Sequence, residues 1–559
     1  MIKKLVIFII ILLYQTNLFS KSTSEKIFNQ RYLSNYFSAL ISFENMEYDQ
    51  ALRFYNSSKN LISIHDNFLK NYLYSLIEEQ NFKKAIREIE NSSSKIDVNF
   101  FEAKIVLLTH SLINNNLLEA KKYAKELQEF KNNGTFELII SETLESYINV
   151  FLYKKPFRTN NDFGTLNLVS QAFQECYLNE YKSSRKFITL INSEEGDYSR
   201  YLFFYLRNLI NNGDLETAKQ ISTNINPLDS NLLISQSKFW IEENKFNKFT
   251  EVFSCQNPKH IISEFLFLIS NLYSSQNEFK KSNFYFKISN YLNPKFYFNF
   301  SLLAENYILQ DNYKLSKKAL KTFSQEDTIY NWYKIKKIAQ IISIEDSEEV
   351  SMKYLEKNLD KMKILNYKIL YDVANIYKNF EKYKKSIKFY NLVLDKIDSN
   401  SISYSDTLYR RGSSYERLGD HKNSDRDLIK SLEINPNDPF VLNYLAYSWL
   451  ERNYKVKDAI DMLKKAYDLK KNNPYIIDSL GWAFYLNSDY INAEKYIRQA
   501  IEIRPTDPVI MDHYGDILWM LGHKLQARYY WKNVLKSEEN TEVDKKTLQI
   551  KLIKGLINN

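Results

Sequence analysis

Small side chains recur along this chain at a fixed period, and a period restricts a fold more tightly than composition does. Gly412, Ala446, Gly481 and Gly515 follow one another at steps of 34, 35 and 34 residues. A second row, Ser424, Ala459, Ala493 and Ala527, lies twelve or thirteen residues further on. A third, Ser431, Ala466, Ala500 and Val534, lies seven beyond that. Three rows sharing one period read as a pair of antiparallel helices per repeat. The first small residue lets helix A approach its partner closely, where a bulky Cβ substituent would hold the backbones apart. The second and third rows do the same on helix B, and Leu428, Leu463, Ile497 and Trp531 fill the space between. Pro436 and Pro505 follow helix B, where proline stops a helix. Asp438-Pro439 and Asp507-Pro508 then set an Asp N-cap before a Pro at the first helical position.

The rows extend backwards with erosion. Ala374 precedes Ser386, Ala339 precedes Ser351, Ala304 precedes Ser316 and Ser270 precedes Ser282, each twelve apart. Leu206 with Ala218, Ala172 with Ser184, Leu108 with Ala120, Leu73 with Ala85 and Ala39 with Ala51 continue the series. Gaps around residues 130–155 and 230–255 each have room for one degenerate unit. The expected fold is therefore all-α, a right-handed superhelical solenoid of about fifteen helix-turn-helix repeats. The longer step from Ala374 to Gly412 implies an inserted turn around 398–405 and a soft boundary there. Leu548, Leu552 and Leu556 recur at helical spacing and suit a closing helix over the last repeat. The expected organisation is a leader over 1–20, degenerate repeats over 21–364, well-matched repeats over 365–541 and a capping helix over 542–559.

Composition agrees. The 559 residues hold only 10 Gly and 9 Pro, too few for the turns of a large β or α/β assembly, and 44% are apolar, enough for a core. A net charge of +9 over this length is mild and lacks the dense basic footprint of a nucleic-acid binder. Lys378, Lys382, Lys384, Lys385 and Lys388 read as a solvated helix face. Cys176 and Cys255 cannot make a disulfide framework; one disulfide is open to them, and two buried free thiols are the expected state. At the amino end, Lys3 and Lys4 precede nine apolar residues, Leu5 to Leu13, and Ser20 offers a small residue at the exit. That is the pattern of a secretory signal peptide, and it falls short of the about 20 apolar residues of a spanning helix.

The C-terminal pattern resembles the tetratricopeptide repeat. Asp478-Ser-Leu-Gly-Trp-Ala-Phe-Tyr485, then Tyr490-Ile-Asn-Ala-Glu-Lys-Tyr-Ile-Arg-Gln-Ala500, then Pro505 match its 34-residue helix–turn–helix unit closely. The resemblance is strong over about 365–540 and degenerate over about 30–365. It implies stacked hairpins whose first helices line a concave, partner-binding groove. Carried onto this sequence, the family's groove positions are Asn443 and Tyr447 in one unit, and Tyr475, Asp478, Trp482 and Tyr485 in the next. In the last unit they are Asp512, Asp516 and Trp519. Aromatic faces and carboxylates together suit an extended or helical segment bearing basic and apolar side chains. The cationic positions of the family's clamp for acidic chaperone tails are Tyr409 and Ser413 here, so that clamp is missing from these units.

No chemistry-bearing motif competes with this reading. The glycines never reach phosphate-loop spacing, and the histidines make neither an HExxH pair nor a metal-ligand run. Asp512-His513 falls inside a well-matched repeat and reads as a structural or groove position. The periodic helices leave no stretch for a catalytic domain. The expectation is an exported, non-catalytic scaffold without cofactor or metal, periplasmic if the source is Gram-negative. Its partner would be a protein or peptide, in cell-envelope assembly or maintenance. It would bind no nucleic acid, keep no stable membrane span after signal cleavage, and touch the envelope at most peripherally. The alternatives are a dedicated subunit of a polysaccharide-export or outer-membrane assembly machine and, more remotely, a glycan-acting enzyme on a helical toroid.

Overall fold

A computed structural model describes residues 30–65, 67–93, 98–178, 180–193, 198–362, 365–537 and 543–556. The leader expected over 1–20 lies outside them. Every regular element among the described residues is helical, and fourteen helical hairpins account for nearly all of them. The all-α repeat architecture expected from the small-residue rows is the one observed.

One turn geometry repeats from hairpin to hairpin. At twelve turns the second residue past the first helix takes a positive φ: Met46, Gln80, Asn115, Gly213, Asn244, Asn277, Asp311, Glu381, Gly419, Asn453, Ser488 and Gly522. The next residue's N–H then reaches the carbonyl five positions back, as in Asp214 to Leu209 (2.9 Å), Asn312 to Tyr307 (2.8 Å) and Tyr454 to Trp449 (2.8 Å). This left-handed cap satisfies carbonyls orphaned at the helix end. Asn, Asp and longer residues adopt it in the other repeats at modest cost, so the chain closes its turns with few glycines.

The eroded repeats keep the close helix contact by a different means. In the well-matched unit, a Cβ on Gly481 would stand 3.1 Å from Ile497 N and 3.3 Å from Ala493 O. In several earlier repeats serine occupies the second row in place of alanine, and at Ser282, Ser316 and Ser351 its hydroxyl donates across the contact. Ser316 Oγ reaches Ala304 O at 3.0 Å and Ser351 Oγ reaches Ala339 O at 2.7 Å. Ser270 and Ser282 exchange such bonds both ways at 2.8 Å. A small residue remains obligatory, and the added hydrogen bond satisfies its polar group where water is excluded.

The chain divides into two units, Met1–Lys361 and Met362–Asn559. The expected soft boundary at 398–405 does not divide it. The helices Tyr383–Leu394 and Ile402–Arg417 flank that turn and pack together, with Arg411 Nη1 donating to Asn391 Oδ1 at 2.7 Å.

Unit 1 holds nine hairpins among its described residues and one lone helix, Thr135–Tyr153. The lone helix stands in the gap where a degenerate pair was expected. Pro156, Gly164 and the Asn160-Asn161-Asp162 run break the place of its second helix, and 154–164 is irregular. Side chains pin that stretch: Phe157 N donates to Gln174 Oε1 (3.0 Å) and Asn161 N donates to Glu142 Oε2 (3.0 Å). The gap at 230–255 does hold a pair, Leu232–Glu242 and Asn247–Val252.

Contacts in unit 1 are not confined to neighbouring repeats. Helix Phe279–Leu292 packs on Phe68–Glu78 and on Phe101–Ile113. Phe82 stacks on Tyr291 with ring centroids 3.9 Å apart, and Tyr74 meets Phe284 at 4.7 Å. At the same junction buried Glu78 accepts from Tyr307 Oη at 3.1 Å. Its backbone carbonyl takes Lys287 Nζ at 2.9 Å, and its carboxylate lies 3.6 Å from that ammonium. Burial pushes the Glu78 carboxyl up, against the pull of Lys287. One apolar core runs from Tyr36 to Ile341.

The free-thiol expectation is corrected here. Cys176, on helix Thr165–Leu178, and Cys255, after helix Asn247–Val252, are joined as a disulfide with Cα atoms 5.2 Å apart. Both are fully buried. The pairing escapes sequence reading because 79 residues separate the partners and only the packing of non-adjacent helices brings them together.

Unit 2 is five hairpins and a closing helix, Lys545–Lys554, each packed on its sequence neighbours. Its apolar core is divided into local clusters. Asp438, Asn473 and Asp507 each accept from two backbone N–H groups ahead of a Pro and start successive first helices. Leu548 is buried, and Leu552 and Leu556 pack on the last hairpin's core.

Candidate partner-binding face

The candidate residues stand on three successive first helices of unit 2: Pro439–Glu451, Pro474–Leu486 and Pro508–Met520. Asn443 and Tyr447 are half-buried on the first of these. Asn443 Oδ1 is buried with no hydrogen-bond partner among the described residues. Glu451, at the end of that helix, accepts from Trp482 Nε1 at 3.2 Å and so ties the first helix to the second.

The second and third helices form a compact aromatic and acidic cluster. The Trp482 ring stacks on Tyr485 (4.5 Å between centroids, 15° between planes) and on His513 (4.0 Å, 14°). His513 Nδ1 donates to Asp478, 2.9 Å from Oδ1 and 3.2 Å from Oδ2. Burial works against the imidazolium, but Asp478, then Asp512 and Asp516, override it and raise the His513 pKa above its ordinary value. A cationic imidazole over the indole face gains cation–π attraction. Tyr475, 48% exposed, stands at the edge with the Arg504 guanidinium 5.7 Å from its ring.

The other two carboxylates already have a cation. Lys551 Nζ, from the closing helix, donates to Asp512 Oδ1 and to Asp516 Oδ2, both at 2.8 Å. Asp516 also accepts from Trp531 Nε1 at 2.9 Å. Burial, then Asp512, push the Asp516 carboxyl up to about 6, with Lys551 opposing. Burial, then Asp516, also raise the Tyr485 phenol.

Trp519 is set apart from the cluster. It meets Trp531 at 5.5 Å and Arg528 at 4.8 Å, and a Cβ at Gly555 would run into its ring. The chain's own closing segment therefore lies across it. Gly555 also has φ 78°, so both its conformation and this close approach call for glycine.

Glu451 and Lys551 escaped the sequence reading of this face, while His513, expected at a structural or groove position, is part of it. Asp478 and His513 are 35 residues apart, one repeat period, whereas Glu451 and Trp482, 31 apart, fall short of it. Residues at matching positions of adjacent repeats become neighbours. Lys378 also departs from the solvated face expected of its cluster. It is half-buried, and burial, then Arg410 and Arg417, push its ammonium down to about 8.

The tetratricopeptide repeat family model matches residues 405–438 and 477–507, each one hairpin of this unit. A TPR repeat-containing protein of Pseudomonas aeruginosa is 31% identical over 109 residues, which are 20% of this chain and 18% of that relative's length. Among solved structures, a tetratricopeptide repeat protein from Parabacteroides merdae is 16% identical. The match covers 45% of this chain and 98% of that one, with a TM-score of 0.38. Pseudomonas aeruginosa pilF is 17% identical over 34% of this chain and 83% of its own, with a TM-score of 0.30. The repeat signature, the hairpins it forms and the family match agree that the chain carries tetratricopeptide repeats, a unit that generally mediates contacts between proteins.

Proposed function

We propose that this chain is an exported, non-catalytic scaffold that binds a protein or peptide segment on the first-helix face of unit 2, in cell-envelope assembly or maintenance. The observation that carries the binding reading is the Tyr485–Trp482–His513 stack beside half-exposed Tyr475. Flat aromatic surface held in place by stacking and by Glu451 contributes contact area at low entropic cost. Because Lys551 already neutralises Asp512 and Asp516, a basic partner would compete with the closing helix for them.

Export is supported by the signal-like leader and by the Cys176–Cys255 pair, since structural disulfides persist in oxidising compartments. The test expresses the full chain in a Gram-negative host with a photo-crosslinking residue at Tyr475, then fractionates the cells. The expected result is a periplasmic protein that captures a discrete partner, with capture lost in Trp482→Ala. A chain retained in the cytoplasm contradicts export. Capture unchanged by Trp482→Ala contradicts the assigned face.

A further inference from the structure

Unit 1 holds a solvent-open cavity of about 680 Å³ that none of the groove positions lines. Its wall comes from the first helices of six successive hairpins: Thr165–Leu178, Tyr201–Asn211, Leu232–Glu242, Pro258–Ser275, Phe300–Leu309 and Thr328–Glu345. In a repeat array the first helices line the inner face. Leu166, Leu232, Leu268, Leu272 and Leu302 are all half-buried there, a set of large aliphatic side chains turned toward one space.

The charges of the wall are neutralised internally. Arg200 Nε and Nη2 bind the two oxygens of Glu264 at 2.7 and 2.8 Å. Nη2 also donates to Asn299 Oδ1 at 2.9 Å, and the guanidinium lies 4.3 Å from the Phe267 ring centroid. Glu305 accepts from Tyr333 Oη and pairs with Lys337, both at 2.7 Å. A charged occupant would be desolvated without a counter-charge, so the lining matches a neutral, apolar one. Three wall groups retain capacity for an amide backbone, the first being Arg200 Nη1, which is buried without a hydrogen-bond partner among the described residues and can donate to a carbonyl. Asn271 gives one N–H to Phe267 O (2.9 Å), and Ser301 Oγ donates to Phe298 O (2.8 Å), leaving a second amide hydrogen and oxygen lone pairs. A plain hydrocarbon tail would cover these groups and leave them unpaired, whereas a peptide would satisfy them.

We propose that this cavity is a second binding site, taking an uncharged peptide segment with side chains of leucine or phenylalanine size. Those side chains fill the space between the leucines, and the segment's backbone bonds to Asn271 and Ser301. The site is independent of the unit 2 face and differs from it in chemistry, apolar and neutral against aromatic and acidic.

The test uses the full chain and a 12-residue peptide of alternating leucine and serine carrying one photo-leucine. Labelling is expected within residues 258–309, and affinity is expected to fall at least tenfold in Leu268→Glu and in Ser301→Trp. Ser301→Trp fills the space without adding charge, so it decides the question if Leu268→Glu does not fold. Trp482→Ala is expected to leave peptide affinity unchanged, which separates this site from the unit 2 face. Labelling confined to residues 402–536, or affinity unchanged in Ser301→Trp, overturns the proposal. So does binding of a fluorescent fatty acid at the cavity with no measurable binding of the peptide.

Discussion

The two units are built from the same hairpin, yet they hold themselves together differently. In unit 2 each hairpin touches its sequence neighbours and the core is parcelled into local clusters. In unit 1 the first hairpins fold back onto helices 200 residues later, and one core spans Tyr36 to Ile341. Local arrays owe their stability to a sum of repeat and neighbour terms, so damage stays local. A unit closed by distant contacts is expected to fail as a whole. The difference lies in what occupies the faces that remain after hairpin pairing. Unit 1 places aromatics there, Phe82, Tyr74, Phe284 and Tyr291, and they find each other. Unit 2 closes its end with a helix instead.

The sharpest way to break this contrast is to remove the covalent tie of unit 1. Cys176→Ser with Cys255→Ser frees a loop of about 80 residues, worth about 4–5 kcal/mol on the chain-entropy model. Urea unfolding is expected to show that loss in the unit 1 transition and none in the unit 2 transition. Next in size, Lys287→Met leaves the Glu78 carboxylate buried without its cation, a loss of about 3–5 kcal/mol at neutral pH. Glu78 is already raised, so the protonated form suits the fold. The loss is therefore expected in full at neutral pH and to shrink in acid, as Glu78 takes up a proton.

A unit 2 counterpart sharpens the comparison from the other side. Gly481→Val places carbon 3.1 Å from the backbone of Ile497 and is expected to cost about 2 kcal/mol. Hydrogen exchange is expected to rise in the hairpins on either side and nowhere in unit 1.

The smallest effect is a pH dependence at the last hairpins. The folded pKa of His513 is raised, so its contribution is complete below its ordinary value of 6.5 and lost as pH rises through the folded value. Asp516 is raised from 3.8 to about 6, so its contribution is present below 3.8 and gone above 6. Asp478→Asn is expected to flatten the stability profile above pH 6.5 and leave the acid limb unchanged, at a cost of about 1.5 kcal/mol. Amide exchange against pH measures both limbs.

What the sequence made legible follows the same division. Rows of small residues act between adjacent helices, so they located the hairpins, including Ser270–Ser282 and Ser316–Ala304 in the eroded half. Asp478 and His513, one 35-residue period apart, form the pair on this face that the repeat itself makes legible. The contacts that close unit 1 carry no period: Glu78 and Lys287, Phe82 and Tyr291, Cys176 and Cys255 are brought together only by packing between non-adjacent helices. The first-helix face lined by leucines in unit 1 was hidden for a similar reason, since an apolar residue in a helix reads as core until its neighbours are known.

The closure of unit 1 is tested most directly by hydrogen exchange on Phe82→Ala in the full chain, with Ile497→Ala as its unit 2 partner. Phe82→Ala is expected to raise exchange in Phe68–Glu78 and equally in Phe279–Leu292, while Ile497→Ala raises it only between residues 439 and 536. Loss of protection confined to residues 30–126 in Phe82→Ala would contradict the closed arrangement.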